Sequence, residues 1–410
     1  MSQEATYLAL NEKAERVEPL AEWSSPATGK HLRIDGGTEF RPEPRTSAEL
    51  LTRGDTFEQF VAKYGQCYDS YQATEPGRLS FWSRTGPGLI SYLRRGRYVL
   101  VGGGLIAPEA HKETLLREFA EQSKRDNLRA AFFNISEEDV PLFRKCGYKA
   151  VRWGQEPVLD LRSLTWSGKS YEWVRRQSNY CLRHGVVATE VRQKDVGPEV
   201  WERTLAEVRE VARESLSQKA QPEGMRFMEG CIDTHELGLR RLFIARSGGG
   251  QGRIEGFVIC NPLRNGTMWS TELYRHRLDS VRGTIAFLFH HLMEQMRVEG
   301  VERVHLCLDP GKDINNPLPG DSWIIRLWWR TFERFLGTLF DFAGVRHFRS
   351  RYRPQYENRY LCAHPGSAVP LLWTFVNAIG CFRISYSNVF RICLDRIRKR
   401  TIRKTLSGND

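Results

Sequence analysis

The chain has 410 residues, room for two or three domains with real cores, and its 61 Lys+Arg against 49 Asp+Glu give a net charge of +12. That balance favours a polyanionic partner, nucleic acid or an anionic membrane, over an acidic or neutral one. Nine scattered cysteines with no C-x-x-C pair and no Cys/His group at zinc spacing argue against a disulfide scaffold or a zinc site, and for reduced, mostly buried thiols.

Residues 1–45 are rich in Pro, Glu, Ser and Gly, show little periodicity, and are expected to be disordered or loosely attached. Their polar, acidic opening, "MSQEATYLALNEKAERVEPLAEWSS", is no signal peptide. Nowhere does an apolar run reach the roughly 18 residues that a membrane span needs. From about residue 50 the pattern tightens. "LISYLRRGRYVLVGGG" (89–104) reads as a hairpin turning at Arg95-Gly96. A helix from Pro108 to about Lys124 presents Leu115, Leu116 and Phe119 on one face. Strand 129–135, helix 137–145 and strand 148–153 follow. "GKSYEWVRRQSNYCLRHG" (168–185) reads as a connecting helix with a glycine stop.

The second half repeats the order. Strands 240–246 and 253–262 flank the glycine hairpin "SGGGQG", and strand 267–275 leads through Gly283 into a helix. That helix shows Ile285, Leu288, Phe289, Leu292, Met293 and Met296 at helical spacing. Strand 303–308 comes next, then a long helix with Asp321 as N-cap, and a strand from Val345 to Arg353. Meander, helix, strand, helix, strand, occurring twice, predicts two α/β domains in tandem, 46–167 and 186–365, joined by helix 168–185 and followed by a tail, 366–410.

"FRSRYRPQYENRYL" (348–361) sets four arginines among four aromatics. As a strand it would put Arg349, Arg351 and Arg353 on one face, about 7 Å apart, a row able to bridge phosphate oxygens. The alternative is an edge strand with solvated arginines. Pro354 then ends regular pairing.

With "RLWWRTFERFLGTLFDFAGVRHFRSRYRPQYENRYL" (326–361) the chain resembles the end of the catalytic domain of bacterial lysylphosphatidylglycerol synthases. That family's Lys-x-Lys-Phe-x-Pro-x-Trp-x-x-Arg-Tyr reads here as Arg349, Arg351, Tyr352, Pro354, Tyr356, Arg359 and Tyr360. Its Asp-Leu-Met-Arg strand, glycine and helix are similar to "ELYRHRLDSVRGTIAFLFHHL", which supplies Glu272 and Arg275. Its linker is similar to "GYKAVRWGQEPVLDLRSLTWSGKSYEWVRRQSNYCLRHG" (147–185), so the resemblance covers roughly residues 55–365. The chain departs from the family at Ala286, where an acid is expected, at Glu272, one methylene longer, and in "LCLDPGKD", where Cys307 and Asp309 replace small residues. These changes leave the transferred amino acid open.

The resemblance implies α/β architecture with tandem acetyltransferase-like (GNAT-type) domains joined by a helix. It also implies transfer of an aminoacyl group from aminoacyl-tRNA to the hydroxyl of a membrane lipid, most naturally phosphatidylglycerol. On this reading Glu272 and Arg275 stand closest to the chemistry, and Arg349, Arg351, Arg353, Arg359 and Tyr360 hold phosphate of lipid or tRNA. No cofactor is expected beyond aminoacyl-tRNA as co-substrate, and no metal. The expected partners are aminoacyl-tRNA, an anionic phospholipid membrane and a separately encoded flippase, since the family's flippase spans are not in this sequence.

Two alternatives keep the donor or the binding but change the outcome: a soluble small-molecule or peptide acceptor, or a non-catalytic tRNA- or membrane-binding module. Acetyl-CoA is disfavoured because "SVRGTI" (280–285) lacks the arginine that should stand three residues before the glycine of that cofactor's loop. His290 and His291 cannot both face one site, being about 100° apart on a helix. The triple glycine 102–104 lacks nucleotide-loop spacing and reads as a turn.

The tail "VPLLWTFVNAIGCFRISYSNVFRICLDRIRKRTIRK" (369–404) opens with an apolar run too short to span. It ends with eight basic residues against Asp395 from Arg383 onward. It reads either as a basic amphipathic helix on an anionic leaflet or as a helix packed on the second domain. Trp323, Trp328, Trp329, Phe332 and Phe335 put aromatics on more than one face of the long helix. A cytoplasmic protein, peripheral at the inner face of the membrane, is expected.

Overall fold

The capping pair Thr56 and Gln59, each side chain bonding the other's backbone, starts α1 (Phe57–Tyr64). A meander follows, β1 (Leu79–Trp82), β2 (Leu89–Arg95) and β3 (Tyr98–Val101), with the β2–β3 turn at Gly96, whose φ of 58° suits a residue without Cβ. Then come α2 (Lys112–Arg125), β4 (Arg129–Ser136), α3 (Val140–Lys145) and β5 (Lys149–Asp160). The connecting helix is α4 (Glu172–Arg183). The second half runs β6 (Val187–Val191), α5 (Pro198–Ser217), β7 (Arg241–Arg246), β8 (Ile254–Leu263), β9 (Met268–His276), α6 (Thr284–Val298), β10 (Arg303–His305), β11 (Asp309–Pro310), α7 (Trp323–Leu336), α8 (Phe342–Ser350), β12 (Gln355–Ala363) and α9 (Ala368–Ala378).

This computed structural model describes residues 56–221, 237–316, 323–336, 341–364, 368–381 and 383–392, with 227, 229, 230, 232 and 394. The N-terminal segment 1–45, the Asp321 cap, the Phe335 side chain and the basic end of the tail lie outside the described residues.

The strands form one sheet in the order β1-β2-β3-β4-β12-β5-β10-β9-β8-β7-β6, with β11 paired to β5. Only β3–β4 and β9–β10 are parallel, the same step in each half, as the repeated element order requires. The doubled element order is therefore present, but its halves share strands. β12, which closes the second half, lies between β4 and β5 of the first, while β5 reaches across to β10. Helices cover both faces. α2 sets Phe119 against Phe81 and Phe132, α5 packs Trp201, Leu205 and Val208 beneath β7 and β8, and α4 and α6 share the opposite face of that half.

The expected strand from Val345 to Arg353 is corrected: this segment is α8, capped by Asp341, which accepts from Gly344 N at 3.0 Å. A six-residue alternation is too short to separate strand from helix when Phe348 and Tyr352 also stand four apart, and their rings do meet at 5.5 Å. Arg353, with φ 56°, ends the helical turn, and Pro354 follows. The described cysteines are free thiols, all buried but Cys146.

Candidate active site

Glu272 lies on β9 where the register with β8 slips. Ile259 pairs with Leu273 and Asn261 with Ser270, so Thr271 and Glu272 together oppose Cys260. Such a bulge re-aims side chains. It turns Glu272 toward the first half, whose residues 57–74 lean on β8: Arg264 N donates to Gly65 O at 3.0 Å, and Ser270 Oγ to Tyr68 O at 2.9 Å. Gln72, 200 residues away in sequence, then donates to Glu272 Oε1 at 2.6 Å, and Asn261 Nδ2 donates to Oε2. Burial pushes the Glu272 carboxyl up to about 7, against those two hydrogen bonds and the Arg240 charge, which pull it down.

The same Gln72 amide accepts from Arg78 Nη2 at 3.0 Å. Arg78 lies 4.6 Å over the Phe227 ring, bonds Phe227 O, and makes no ion pair among the described residues. Beside it Asp69, buried and bonded by Asn134 Nδ2 at 2.8 Å, is raised by burial to about 6. The triple glycine makes this close approach possible: Ser70 Oγ donates to Gly103 O at 2.7 Å, and a Cβ on Gly103 would stand 2.8 Å from Ser70 Cα. The seam thus holds two carboxyls titrating near neutrality and a cation one amide away, the equipment of proton transfer with charge stabilisation.

Gly230 closes the site. A Cβ there would stand 2.8 Å from Glu272 Oε2. Gly230→Ala is therefore expected to displace the carboxylate and lower turnover by about tenfold to a hundredfold, with little change in Tm. Steady-state rates beside thermal unfolding check this.

The other sequence candidates disperse. Arg275 does not pair with Glu272: its Nη2 donates to Glu229 at 2.7 Å and its Nη1 to Tyr274 O at 2.9 Å. Arg349 is buried, bonding Asp309 at 2.8 Å and the carbonyl of Leu308 at 2.8 Å. Arg359 is buried on Glu156 and also bonds Glu357, and Tyr360 Oη donates to Glu137 at 3.1 Å. The row of three arginines on one strand face is thus corrected, because α8 sends Arg349 inward.

Arg351 and Arg353 do come together. With Lys169, just before α4, and Trp173 and Arg176 on it they line a cleft of about 450 Å³, where Arg351 lies 5.0 Å over the Trp173 ring. Glu172, its one acid, is paired with Arg176. Ring contacts from Trp173 to Phe348 and from Phe348 to Tyr274 link the cleft to the strand that bears Glu272.

The histidine reading is answered here. His290 accepts or donates at 2.9 Å to Ser178 and packs on Trp166, with burial holding it down at about 4, so it is a core histidine. Gln177 of α4 sits over the N-terminus of α6, where a Cβ on Gly283 would meet its Oε1 at 2.7 Å. Sequence reasoning missed Gln72, Arg78, Asn261 and Asp69, whose convergence depends on long-range packing. Lys169 and Arg176 were visible only as charges on a helix.

Residues 58–363 match the family described as "Phosphatidylglycerol lysyltransferase, C-terminal". The phosphatidylglycerol lysyltransferase of Bacillus subtilis (strain 168) is 24% identical over 291 residues, 68% of this chain and 31% of that protein. Its counterpart in Staphylococcus epidermidis (strain RP62A) is 22% identical over 301 residues, 73% of this chain and 34% of that protein. The chain therefore spans about a third of the length of these relatives. Among solved structures, L-PGS from Bacillus licheniformis superposes with a TM-score of 0.67 at 22% identity, covering 79% of this chain and 94% of that one. The C-terminal domain of a putative lysylphosphatidylglycerol synthetase from Agrobacterium fabrum gives 0.64 at 22% identity, covering 79% and 95%.

Proposed function

The chain belongs to the phosphatidylglycerol lysyltransferase C-terminal family, and from that premise we propose that it transfers an aminoacyl group from aminoacyl-tRNA to a hydroxyl of phosphatidylglycerol. The observation that carries this reading on the structural side is Glu272, held by residues of both halves and titrating near 7. The lipid hydroxyl oxygen attacks the aminoacyl carbonyl carbon while its proton passes to the Glu272 carboxylate. The bond from that carbon to the ribose oxygen breaks, and the proton returns from Glu272 to the ribose oxygen. Arg78 offsets the negative charge of the tetrahedral intermediate. One ester replaces another, so aminoacyl-tRNA serves as the co-substrate and no further cofactor enters the scheme.

Arg275 acts as a positioning residue, fixing the segment at Glu229 and Gly230 that closes the site. The cleft of Lys169, Arg176, Arg351 and Arg353 holds a phosphodiester, from the lipid headgroup or from the tRNA end. Arg351→Ala with Arg353→Ala is expected to raise KM for one of the two substrates by about tenfold or more, with the effect shrinking at high salt. Which KM moves identifies the phosphate.

The working position is peripheral, at the inner face of the membrane, and no helix among the described residues is long and apolar enough to cross it. A separately encoded flippase would move the product across. The test is lipid analysis: expression in a bacterium that makes phosphatidylglycerol should yield an aminoacylated phosphatidylglycerol by mass spectrometry, whose mass names the amino acid. Folded protein that accelerates deacylation of charged tRNA without a new lipid would move the acceptor to a soluble molecule.

A further inference from the structure

α7 and α9 lie on one face of the sheet, both against Trp153: its ring is 5.3 Å from Trp329 and 5.5 Å from Phe375. Their inner faces are core, with Ile325, Trp329 and Phe332 from α7 and Leu371, Leu372 and Phe375 from α9. A helix satisfied in this way should turn polar residues outward. These two do not. Trp323 is 65% exposed beside Ile324 and Leu327 on the outer face of α7, and Trp373 is 62% exposed with Val369 on that of α9. After the tight turn at Gly380, the helical run 386–392 is fastened by Asn388, which donates to Ser217 O and Lys219 O at 2.7 and 2.9 Å. Even so, Tyr386, Phe390 and Leu394, four apart along one stripe, stay in solvent.

Among the described residues, the exposed charges on these outer faces are of one sign. They are Arg330 and Arg334 on α7 and Arg391 on the last helical run. The acid of α7, Glu333, is taken by Arg346 at 2.6 Å. Tryptophans at the level of arginines, with no exposed acid among the described residues of these faces, match the headgroup zone of an anionic bilayer. A second copy of the chain would instead bring arginine against arginine.

We propose that the outer faces of α7 and α9 dock the protein on an anionic lipid bilayer, Trp323 and Trp373 entering the headgroup layer. This extends the proposed function, and rests on it for the choice of a lipid surface over a protein one.

The test is flotation of the full chain with vesicles of phosphatidylcholine alone, or with about one third phosphatidylglycerol to supply surface charge. The wild type is expected to partition to the anionic vesicles, and Trp323→Ser with Trp373→Ser to lose about tenfold or more of that binding. A second variant, Arg330→Glu with Arg334→Glu, should lose binding at low salt. Both should keep wild-type Tm and undiminished transfer to a short-chain, water-soluble phosphatidylglycerol. Undiminished vesicle binding by both variants overturns the proposal. So does a wild-type dimer, in place of vesicle binding, that the tryptophan substitutions dissolve. If vesicles bind as stated while no lipid is aminoacylated, the docking stands and the transferase reading fails.

Discussion

Glu272→Gln is expected to lower aminoacyl transfer about a thousandfold, within the range general-base removal gives, while the protein remains folded. Wild-type kcat/KM should rise with pH through about 7 as the carboxyl loses its proton, and then level off; the residual rate of the variant should lack that step. The same group makes a stability statement of the opposite sense. Its carboxyl titrates near 7 when folded and near 4.5 when unfolded, so the folded protein binds the extra proton between those values. Its stability contribution is full below 4.5 and is lost as pH rises through 7, by about 3 kcal/mol across that window. The gap in unfolding free energy between wild type and Glu272→Gln should therefore shift in favour of the variant from pH 5 to pH 8. A rate indifferent to the substitution would remove Glu272 from the chemistry.

Arg359→Ala is expected to destabilise the fold by about 3–5 kcal/mol, because it strands the buried Glu156 carboxylate. Arg359 Nε donates to Glu156 Oε2 at 2.5 Å, and His305 Nδ1 lies 2.9 Å from Oε1. Burial alone would raise the Glu156 carboxyl, but the Arg359 and His305 charges and hydrogen bonds hold it at about 2. Being depressed in the folded state, it contributes stability above its unfolded value near 4.5, and that contribution is lost as pH falls through 2. Without Arg359 the carboxyl will take up a proton, so the deficit of the variant should narrow in acid. A phosphate-binding role predicts the reverse pattern, an unchanged Tm with weakened tRNA or lipid binding. Denaturant titration at two pH values separates the two.

Elements governed by local rules were legible. The β2–β3 hairpin followed from its glycine turn, α6 from its apolar spacing, and the doubled element order from the periodicity of each segment. The exchange of β12 and β5 was not legible, because both strands satisfy the same alternation whichever half they join, and only the packed sheet decides. The arginine stretch shows the same limit at the level of single side chains. Arg349 finds Asp309, and Arg359 finds Glu156, 203 residues away, so two of its four arginines became structural through partners that no local pattern marks. Glu272 was readable only as an expectation drawn from the resemblance. Its environment was not, since Gln72 reaches it from the first half and the bulge that turns it there is a property of the pairing of β8 with β9.

The central claim is tested most directly by incubating the purified full chain with charged tRNAs and vesicles containing phosphatidylglycerol, and following the labelled aminoacyl group into the lipid phase. The account predicts a phosphatidylglycerol aminoacyl ester whose rate of formation rises with pH through about 7 and collapses in Glu272→Gln. Label that stays on tRNA, or leaves it only for water or a soluble acceptor, with folded protein and intact vesicles, would contradict it.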